Sequence, residues 1–373
     1  MKKGEISLKI LILGFSKIKY MPYLKFYLDN IDRENNEIHL LYWNRDLKEE
    51  SIFEYKDLLL HEFKYYQEDD ASKLVKMKAF IEYRKYASKI LKTGKFDFIF
   101  VLHSFPGVLN IDILKKYYNN KYIFDYRDST YENIGVFRRI IGEVVKFSKA
   151  TFVSSDAYRR FLPLEEKNKI FTSHNILLDS LNHRNDRELY GVSSDRIRIA
   201  FWGFIRHEQI NRMIIKRLSC DERFELHYYG REQQTAINLK TYAHEISANN
   251  VYFHGEYNPE DRYEFIKYTD IIHNIYYDNN TMLAMGNKYY DGIIFRIPQI
   301  CMQGSFMGKC VSEGEIGIEC NPDDNNFCDK IYSFYQELNW KSFYENCNKE
   351  LQKIYKEYSD GAAFIRNAIS NVE

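Results

Sequence analysis

The chain has 373 residues and equal numbers of basic and acidic side chains, 53 of each, so it is neutral overall and long enough for two ordinary domains. A hydrophobic content of 45% argues against a disordered protein, and no apolar run approaches the length of a membrane span. The six cysteines lie in the second half without CxxC or Cys/His spacing, which argues against zinc and favours reduced thiols in the cytoplasm.

The first half of the chain alternates short apolar runs with helix-length segments. The apolar runs predict strands at Leu8–Phe15, Ile38–Trp43, Phe96–Leu102, Lys121–Phe124 and Ala150–Ser154. Helix-length connections between them, including 71–92 and 133–147, indicate parallel pairing. We therefore predict a doubly wound, Rossmann-like α/β domain over residues 1–176, in which ligands bind beyond the carboxyl ends of the strands.

Several polar residues follow the predicted strands of this first domain. Ser16 comes after the first strand and His103 after the third, while Asp125, Arg127 and Asp128 end the fourth. Two roles stay open for the last cluster. One of its acids takes part in proton transfer, or an Asp–Arg pair only fixes the loop.

The segment 73–95 carries eight basic residues and one acid, Glu82. Leu74, Met77, Ile81 and Leu91 recur near helical spacing, which predicts an amphipathic basic helix. Two interpretations stay open. The apolar residues pack against the domain while the lysines face water, or the helix makes peripheral contact with an anionic membrane. The helix lacks the interleaved stacking motifs that would indicate nucleic acid.

The pattern of strands restarts after a polar, aperiodic stretch at 177–196, which we interpret as an interdomain linker. The second set of apolar runs predicts strands at Ile197–Phe201, Phe224–Tyr229, Val251–His254, Asp270–Tyr276 and Gln299–Met302. Residues 197–333 are therefore predicted to form a second Rossmann-like domain. The remainder, 334–373, is predicted to be largely helical.

Gly203 and Arg206 lie just past the first predicted strand of the second domain. A glycine there lets a diphosphate approach the backbone, and an arginine neutralises its charge. Arg212 stands six residues beyond Arg206 as a further candidate cation. The alternative is a tight βα turn with arginines that face solvent.

Asn287 and Lys288 open a predicted helix, Tyr289–Phe295, which stops before Pro298. A helix N-terminus with free amides, an Asn and a Lys is an anion site. Asp291, one turn in, would accept a hydrogen bond from a ribose hydroxyl. Phosphate and sugar recognition side by side suit a nucleotide-sugar.

The order of this second half resembles the donor-binding part of GT-B glycosyltransferases, especially family-4-like enzymes of bacterial capsule and exopolysaccharide synthesis. The positions that match are Asn287, Lys288, Tyr290, Asp291, Pro298, Gly304, Gly308, Gly314 and Gly317. The resemblance implies two Rossmann-like domains facing a cleft, with a C-terminal helix that crosses back onto the first. It also implies retaining, metal-independent sugar transfer, of the hexosyltransferase type, from a nucleotide-sugar to a glycan or lipid-linked acceptor.

The resemblance assigns roles to the candidate residues. Arg206 and Lys288 would stabilise the leaving nucleoside diphosphate, and Asp125 or Asp128 would orient or deprotonate the acceptor hydroxyl. The donor-binding set is Gly203, Arg206, Arg212, Asn287, Lys288 and Asp291. The set on the acceptor side of the cleft is Ser16, His103 and Arg127.

Leu283 departs from the family pattern, because many members carry a Glu eight residues before the final acid. This leaves the stereochemistry of the reaction open. It also leaves two alternatives: a nucleotide-sugar epimerase on the same fold, or a non-catalytic partner subunit of a true transferase.

The sequence gives no sign of a cofactor or of a catalytic metal. No GxGxxG follows a strand, and the Walker A, GxSxG and HExxH motifs are absent. In the first acidic cluster, Arg127 lies between Asp125 and Asp128 and would compete with a cation. The second, Asp323-Asp324, follows Pro322 and is typical of a helix cap. We predict that neither binds a metal.

Overall fold

The computed structural model describes residues 7–50, 53–68, 71–186, 195–278 and 281–372. The chain forms two compact units, one comprising Met1–His174 with Lys356–Glu373 and the other comprising Asn175–Tyr355. The segment predicted to be a linker lies in the second unit, where its described part contains a 3₁₀ helix at Leu178–His183. Residues 187–194 of that segment lie outside the described residues.

The first unit is built on a seven-stranded parallel sheet of order β3-β2-β1-β4-β5-β6-β7. Its strands are β1 Lys9–Leu13, β2 Glu37–Asn44, β3 Leu59–Lys64, β4 Phe98–Leu102, β5 Tyr122–Tyr126, β6 Ala150–Val153 and β7 Ile170–Thr172. The five predicted strands are confirmed. They could be predicted because the strands of a sheet covered on both faces are continuous buried runs of Ile, Leu, Val and Phe. Two strands were not predicted: β3 is mostly half-buried and lacks a continuous buried apolar run, and β7 has three residues.

The helices of this unit are α1 Leu24–Leu28, α2 Lys73–Thr93, α3 Ser104–Tyr117 and α4 Gly135–Phe147, with 3₁₀ helices at Ile18–Tyr20, Phe53–Tyr55, Asp156–Phe161 and Leu164–Lys169. They include both predicted helices. The crossover helices α2, α3 and α4 precede β4, β5 and β6, as parallel pairing demands.

The second unit has a six-stranded parallel sheet of order β10-β9-β8-β11-β12-β13. Its strands are β8 Ile197–Trp202, β9 Phe224–Tyr229, β10 Val251–Gly255, β11 Ile271–Asn274, β12 Gln299–Met302 and β13 Gly317–Cys320. The five strands predicted after the linker are confirmed. The order reverses between β8 and β11, and such a switch point is where ligands bind in open α/β sheets.

The helices that flank this sheet are α5 Glu208–Ser219, α6 Gln234–Glu245, α7 Arg262–Phe265, α8 Asn287–Phe295, α9 Phe306–Glu313 and α10 Phe327–Gln336, with 3₁₀ helices at Pro259–Asp261 and Ile266–Tyr268. Helix α8 starts two residues before its predicted start. It ends at Phe295, and the left-handed φ of 56° at the following residue, Arg296, stops the helix before Pro298.

The final helix, α11, spans Trp340–Ser370, and its last part belongs to the first unit from Lys356 onward. Ala362, Ile365 and Ile369 from this part are buried in the same apolar cluster as Phe26 and Phe152. The C-terminal helix therefore completes the core of the first unit. Among the described residues, no helix is both long enough and apolar enough to cross a membrane.

Replacing Ile365 by alanine should destabilise the first unit, because Ile365 is fully buried in this cluster. An Ile→Ala change in a core typically costs about 2–5 kcal/mol. Thermal and denaturant unfolding would measure the loss, with Asn367→Ala on the exposed side of the same helix as control. Equal stability of the two variants would contradict this packing.

Candidate functional site

The loop after β8 and the start of α8 meet at the carboxyl edge of the second sheet. Gly203 directly follows β8 and has a φ of +116°, a conformation that residues with side chains rarely adopt. A Cβ added there would lie 3.5 Å from Nζ of Lys288. The fold thus brings together two of the predicted donor-binding residues, which are 85 positions apart in sequence.

Lys288 is buried, with 8% of its surface exposed. Its Nζ lies 4.3 Å from the ring centroid of Phe201 and 5.3 Å from that of Tyr276. Among the described residues, no oxygen lies within hydrogen-bond or ion-pair distance of this ammonium. Burial lowers the pKa of Lys288 to about 7, with Asp291 opposing the shift and Arg206 adding to it. An enclosed ammonium without such a partner is suited to bind an anion.

Asp291 lies one turn into α8 and is also buried. Trp202 Nε1 donates a hydrogen bond to its Oδ2 at 2.9 Å, and Nη1 of Arg262 lies 3.7 Å from its Oδ1. Burial raises the pKa of Asp291, while Arg262 and the Trp202 hydrogen bond lower it. Arg262 was not predicted as a site residue, because no motif marks it; its Nη2 also donates to Ser180 Oγ at 2.8 Å.

A buried polar network fixes the loop between β8 and α5. Asn211 Nδ2 donates to the carbonyl oxygens of Arg206 (2.8 Å) and His207 (3.1 Å). Its Oδ1 accepts from the hydroxyl of Tyr228 at 2.9 Å and lies 3.3 Å from His273 Nε2. His273 Nδ1 accepts from a backbone amide, so Nε2 carries the proton, and burial lowers the pKa of this ring to about 3. The network positions the N-terminal amides of α5.

The two arginines of this region differ in their surroundings. Arg206 is exposed, and its guanidinium lies 5.0 Å from the ring centroid of Phe204. Arg212 donates through Nε to Glu208 at 2.8 Å and lies over the Tyr242 ring, so it joins α5 to α6. Arg206 is therefore open to a ligand, whereas Arg212 already has a carboxylate partner.

A cavity of about 450 Å³ lies at the N-terminus of α5. This volume is within the range of small-molecule sites. His207, at its rim, has Nδ1 3.4 Å from Asp278 Oδ2, and its buried Nε2 has no partner among the described residues. The lining combines apolar and hydrogen-bonding side chains: His207, Glu208, Gln209, Ile210, Met213, Tyr277, Met302, Asn321 and Asp323.

Asn287 is the exposed first residue of α8, and Leu283 is half-buried in the turn that precedes this helix. Because its side chain is aliphatic, Leu283 supplies no carboxylate to this site.

In the first unit, Asp125 and Arg127 form a buried ion pair, with Nε 2.7 Å from Oδ2. Arg127 also donates to Ser173 Oγ at 2.8 Å and stacks over the Tyr23 ring at 3.8 Å. Burial raises the pKa of Asp125, and Arg127 opposes the shift. Of the two roles open for this cluster, these contacts favour loop fixation for Asp125.

Asp128 points elsewhere and meets His103. Its Oδ2 lies 3.9 Å from His103 Nε2, and its side chain is largely exposed. His103 has φ 79° and ψ 157°, a region that is almost exclusive to glycine, and Asp128 is also left-handed at φ 55°. Burial lowers the pKa of His103, with Asp128 opposing it. Ser16 is half-buried after β1. Two strained residues in contact at a strand end mark this pair as the better-placed acid–base candidate.

No group of three or more His, Cys, Asp or Glu side chains that could hold a metal occurs in the described part of the chain.

No family model matches the sequence, and no curated protein matches it either. Solved structures do match along nearly the whole chain. HepE from Anabaena, in complex with UDP-glucose, is 13% identical with a TM-score of 0.64, over 97% of this chain and 98% of that one. Sucrose-phosphate synthase from Thermosynechococcus elongatus is 10% identical with a TM-score of 0.69, over 98% and 99%. A glycosyltransferase from Rickettsia africae is 12% identical with a TM-score of 0.65, over 98% and 100%. These likenesses confirm the predicted GT-B fold.

The pH dependence of stability should report the burial of Lys288. Its pKa is about 7 in the folded chain against an ordinary 10.5, so the unfolded chain binds more protons between these values. The resulting destabilisation is complete below pH 7 and fades as the pH rises toward 10.5. The variant Lys288→Met should therefore gain most in melting temperature at or below pH 7 and least near pH 10. If the melting temperatures of wild type and variant changed in parallel with pH, this burial would be contradicted. Lys216→Met, at an exposed position on α5, is the control.

Proposed function

We propose that this protein is a glycosyltransferase that takes a sugar from a nucleotide-sugar and passes it to a glycan or lipid-linked acceptor. The observation that carries the proposal is the buried, unpaired ammonium of Lys288, held at the N-terminus of α8 against the loop at Gly203. A diphosphate is the ligand that suits a cation, a helix N-terminus and a glycine that admits close approach.

In this proposal the second unit stabilises the leaving group. As the glycosidic bond breaks, negative charge develops on the nucleoside diphosphate, and Lys288 and Arg206 offset it with fixed positive charge. Asp291 accepts a hydrogen bond from a ribose hydroxyl. Its carboxylate can do so because Trp202 and Arg262 contact only part of its lone pairs. Because HepE was solved with UDP and with UDP-glucose, UDP is the first nucleotide to test.

The acceptor role falls to the first unit. Asp128, whose carboxylate is largely exposed, is suited to accept a proton from an acceptor hydroxyl. His103, whose Nδ1 accepts from the Phe105 amide, faces this carboxylate through Nε2 and orients it. The family resemblance supports a retaining reaction and an acceptor that belongs to a bacterial surface polysaccharide, made at the cytoplasmic side.

A second candidate function is a non-catalytic subunit that binds the nucleotide-sugar without transferring the sugar. Leu283 favours it, because an aliphatic side chain replaces the Glu that many family members carry. Donor binding without release of UDP, with or without acceptors, would select this alternative over the transferase.

Removal of either cation should weaken UDP binding. By titration calorimetry, Lys288→Ala should lower the affinity by about tenfold or more, since about 1.4 kcal/mol of charge-assisted interaction is lost. Arg206→Ala should have a smaller effect, because Arg206 is exposed. Lys216→Ala removes the same charge from the outer face of α5 and should bind as wild type. Unchanged affinity in both site variants would place the nucleotide elsewhere.

Turnover should survive chelation, because side chains do the work of a metal in this proposal. We expect the rate of UDP release from UDP-sugar to be the same with and without EDTA. A rate that falls on chelation and returns with manganese or magnesium would overturn the assignment of charge neutralisation to Lys288 and Arg206.

A further inference from the structure

Helix α2 packs against the first unit through a stripe of which only Leu91 was among the apolar residues predicted to form it. The buried residues are Ala79, Tyr83, Ala87 and Leu91, which recur every four positions. The hydroxyl of Tyr83 donates to the carbonyl of Gly14 at 2.6 Å, which ties the helix to the end of β1. The inward face of α2 is thus complete without three of the four apolar residues expected to form it.

Those three residues, Leu74, Met77 and Ile81, lie on the outward face instead. They are 74%, 55% and 49% exposed. Their spacing of three and four places them side by side over the first turns of the helix. Lys78 and Lys85 stand on the same face at i+4 from Leu74 and Ile81, and both are exposed. In the part of the unit that the structure describes, this apolar row among lysines lies outside the buried core.

The apolar surface continues from α2 to the start of α4 through aromatic rings that are half-buried or, at Tyr131, exposed. Phe80 lies 4.6 Å from Phe105, Phe105 lies 6.2 Å from Phe137, and Phe137 lies 5.8 Å from Tyr131, all between ring centroids. Beyond these rings, Val136 is 70% exposed. We call the surface formed by residues 74–85 and 131–139 the α2–α4 face.

The charge of the α2–α4 face is positive. Arg138 and Arg139 are exposed at its α4 end. On α2, the single acid Glu82 is paired with Lys85 at 2.7 Å. Glu68 precedes α2 and accepts a hydrogen bond from Tyr66, and the neighbouring Asp69 and Asp70 lie outside the described residues.

We propose that the α2–α4 face docks on an anionic lipid bilayer. Exposed Leu, Met, Ile and Val side chains enter the boundary between headgroups and acyl chains, and the flanking lysines and arginines neutralise acidic headgroups. Charge complementarity selects an anionic bilayer over a zwitterionic one. The inference is independent of the proposed function, because it uses no residue of the second unit and its test needs no nucleotide.

Co-sedimentation of the full chain with vesicles tests the proposal. Wild type should bind phosphatidylcholine vesicles that contain phosphatidylglycerol, bind pure phosphatidylcholine weakly, and lose binding as salt is raised. The double variant Lys78→Glu/Lys85→Glu should lower the partition coefficient by roughly tenfold or more, given the contribution of each basic residue near an anionic surface. Leu74→Ser/Met77→Ser should lower it several-fold.

Matched controls separate this face from general charge and apolarity. Lys116→Glu/Lys167→Glu makes the same charge change at exposed sites outside the α2–α4 face, at the end of α3 and in the 3₁₀ helix Leu164–Lys169. Leu164→Ser removes another exposed apolar side chain. Both should bind as wild type. Absent binding to anionic vesicles, equal loss in variants and controls, or self-association that only the Leu74→Ser/Met77→Ser variant abolishes would overturn the proposal.

Discussion

The burial of an ammonium group without a counter-ion is the constraint around which the edge of the second sheet is organised. Lys288 is held by the faces of Phe201 and Tyr276 and by the field of Asp291, but none of these replaces the hydrogen bonds that water would give. Burial raises the pKa of Asp291, and Arg262 and the Trp202 hydrogen bond oppose that rise. Each of these groups thus lowers the free-energy cost of burying the next. The cost that remains at Lys288 is what an anionic ligand would offset. Ligand binding and proton uptake at Lys288 are therefore linked.

The loop that faces Lys288 is held by neutral groups. His273, Tyr228 and Asn211 come from β11, β9 and α5, and their hydrogen bonds converge on one amide. A charged imidazole in this position would raise the free-energy cost of burying the Lys288 ammonium. Burial and the charge of Lys288 accordingly both lower the pKa of His273. The result is a loop whose backbone amides are fixed before any ligand arrives, which reduces the entropy that binding must oppose.

Most of the fold could be predicted from the sequence, because continuous runs such as Ile10–Leu13 are long enough to mark buried strands. The buried stripe of α2 could not be predicted, because on this helix the larger apolar side chains are not the buried ones. Ala79 and Ala87 let the helix approach the sheet closely, whereas the larger Leu74 and Met77 lie outside.

At the candidate site, the N-terminus of α8 could be predicted from the local sequence. Asp125 and Asp128 look alike in sequence, yet one is enclosed with Arg127 and the other faces solvent beside His103. Arg262 reaches Asp291 only through tertiary structure.

The late position of Ala362, Ile365 and Ile369 in the chain has a consequence for synthesis on the ribosome. These residues close the core of the first unit, yet all of 175–355 is translated between them and His174. At 5–20 residues per second, that interval lasts roughly 10–40 s. Throughout it, the apolar surface around Phe26 and Phe152 lacks its final cover. The nascent first unit thus exposes part of its core until these residues have been translated, and transiently exposed apolar surface of this kind is prone to aggregation.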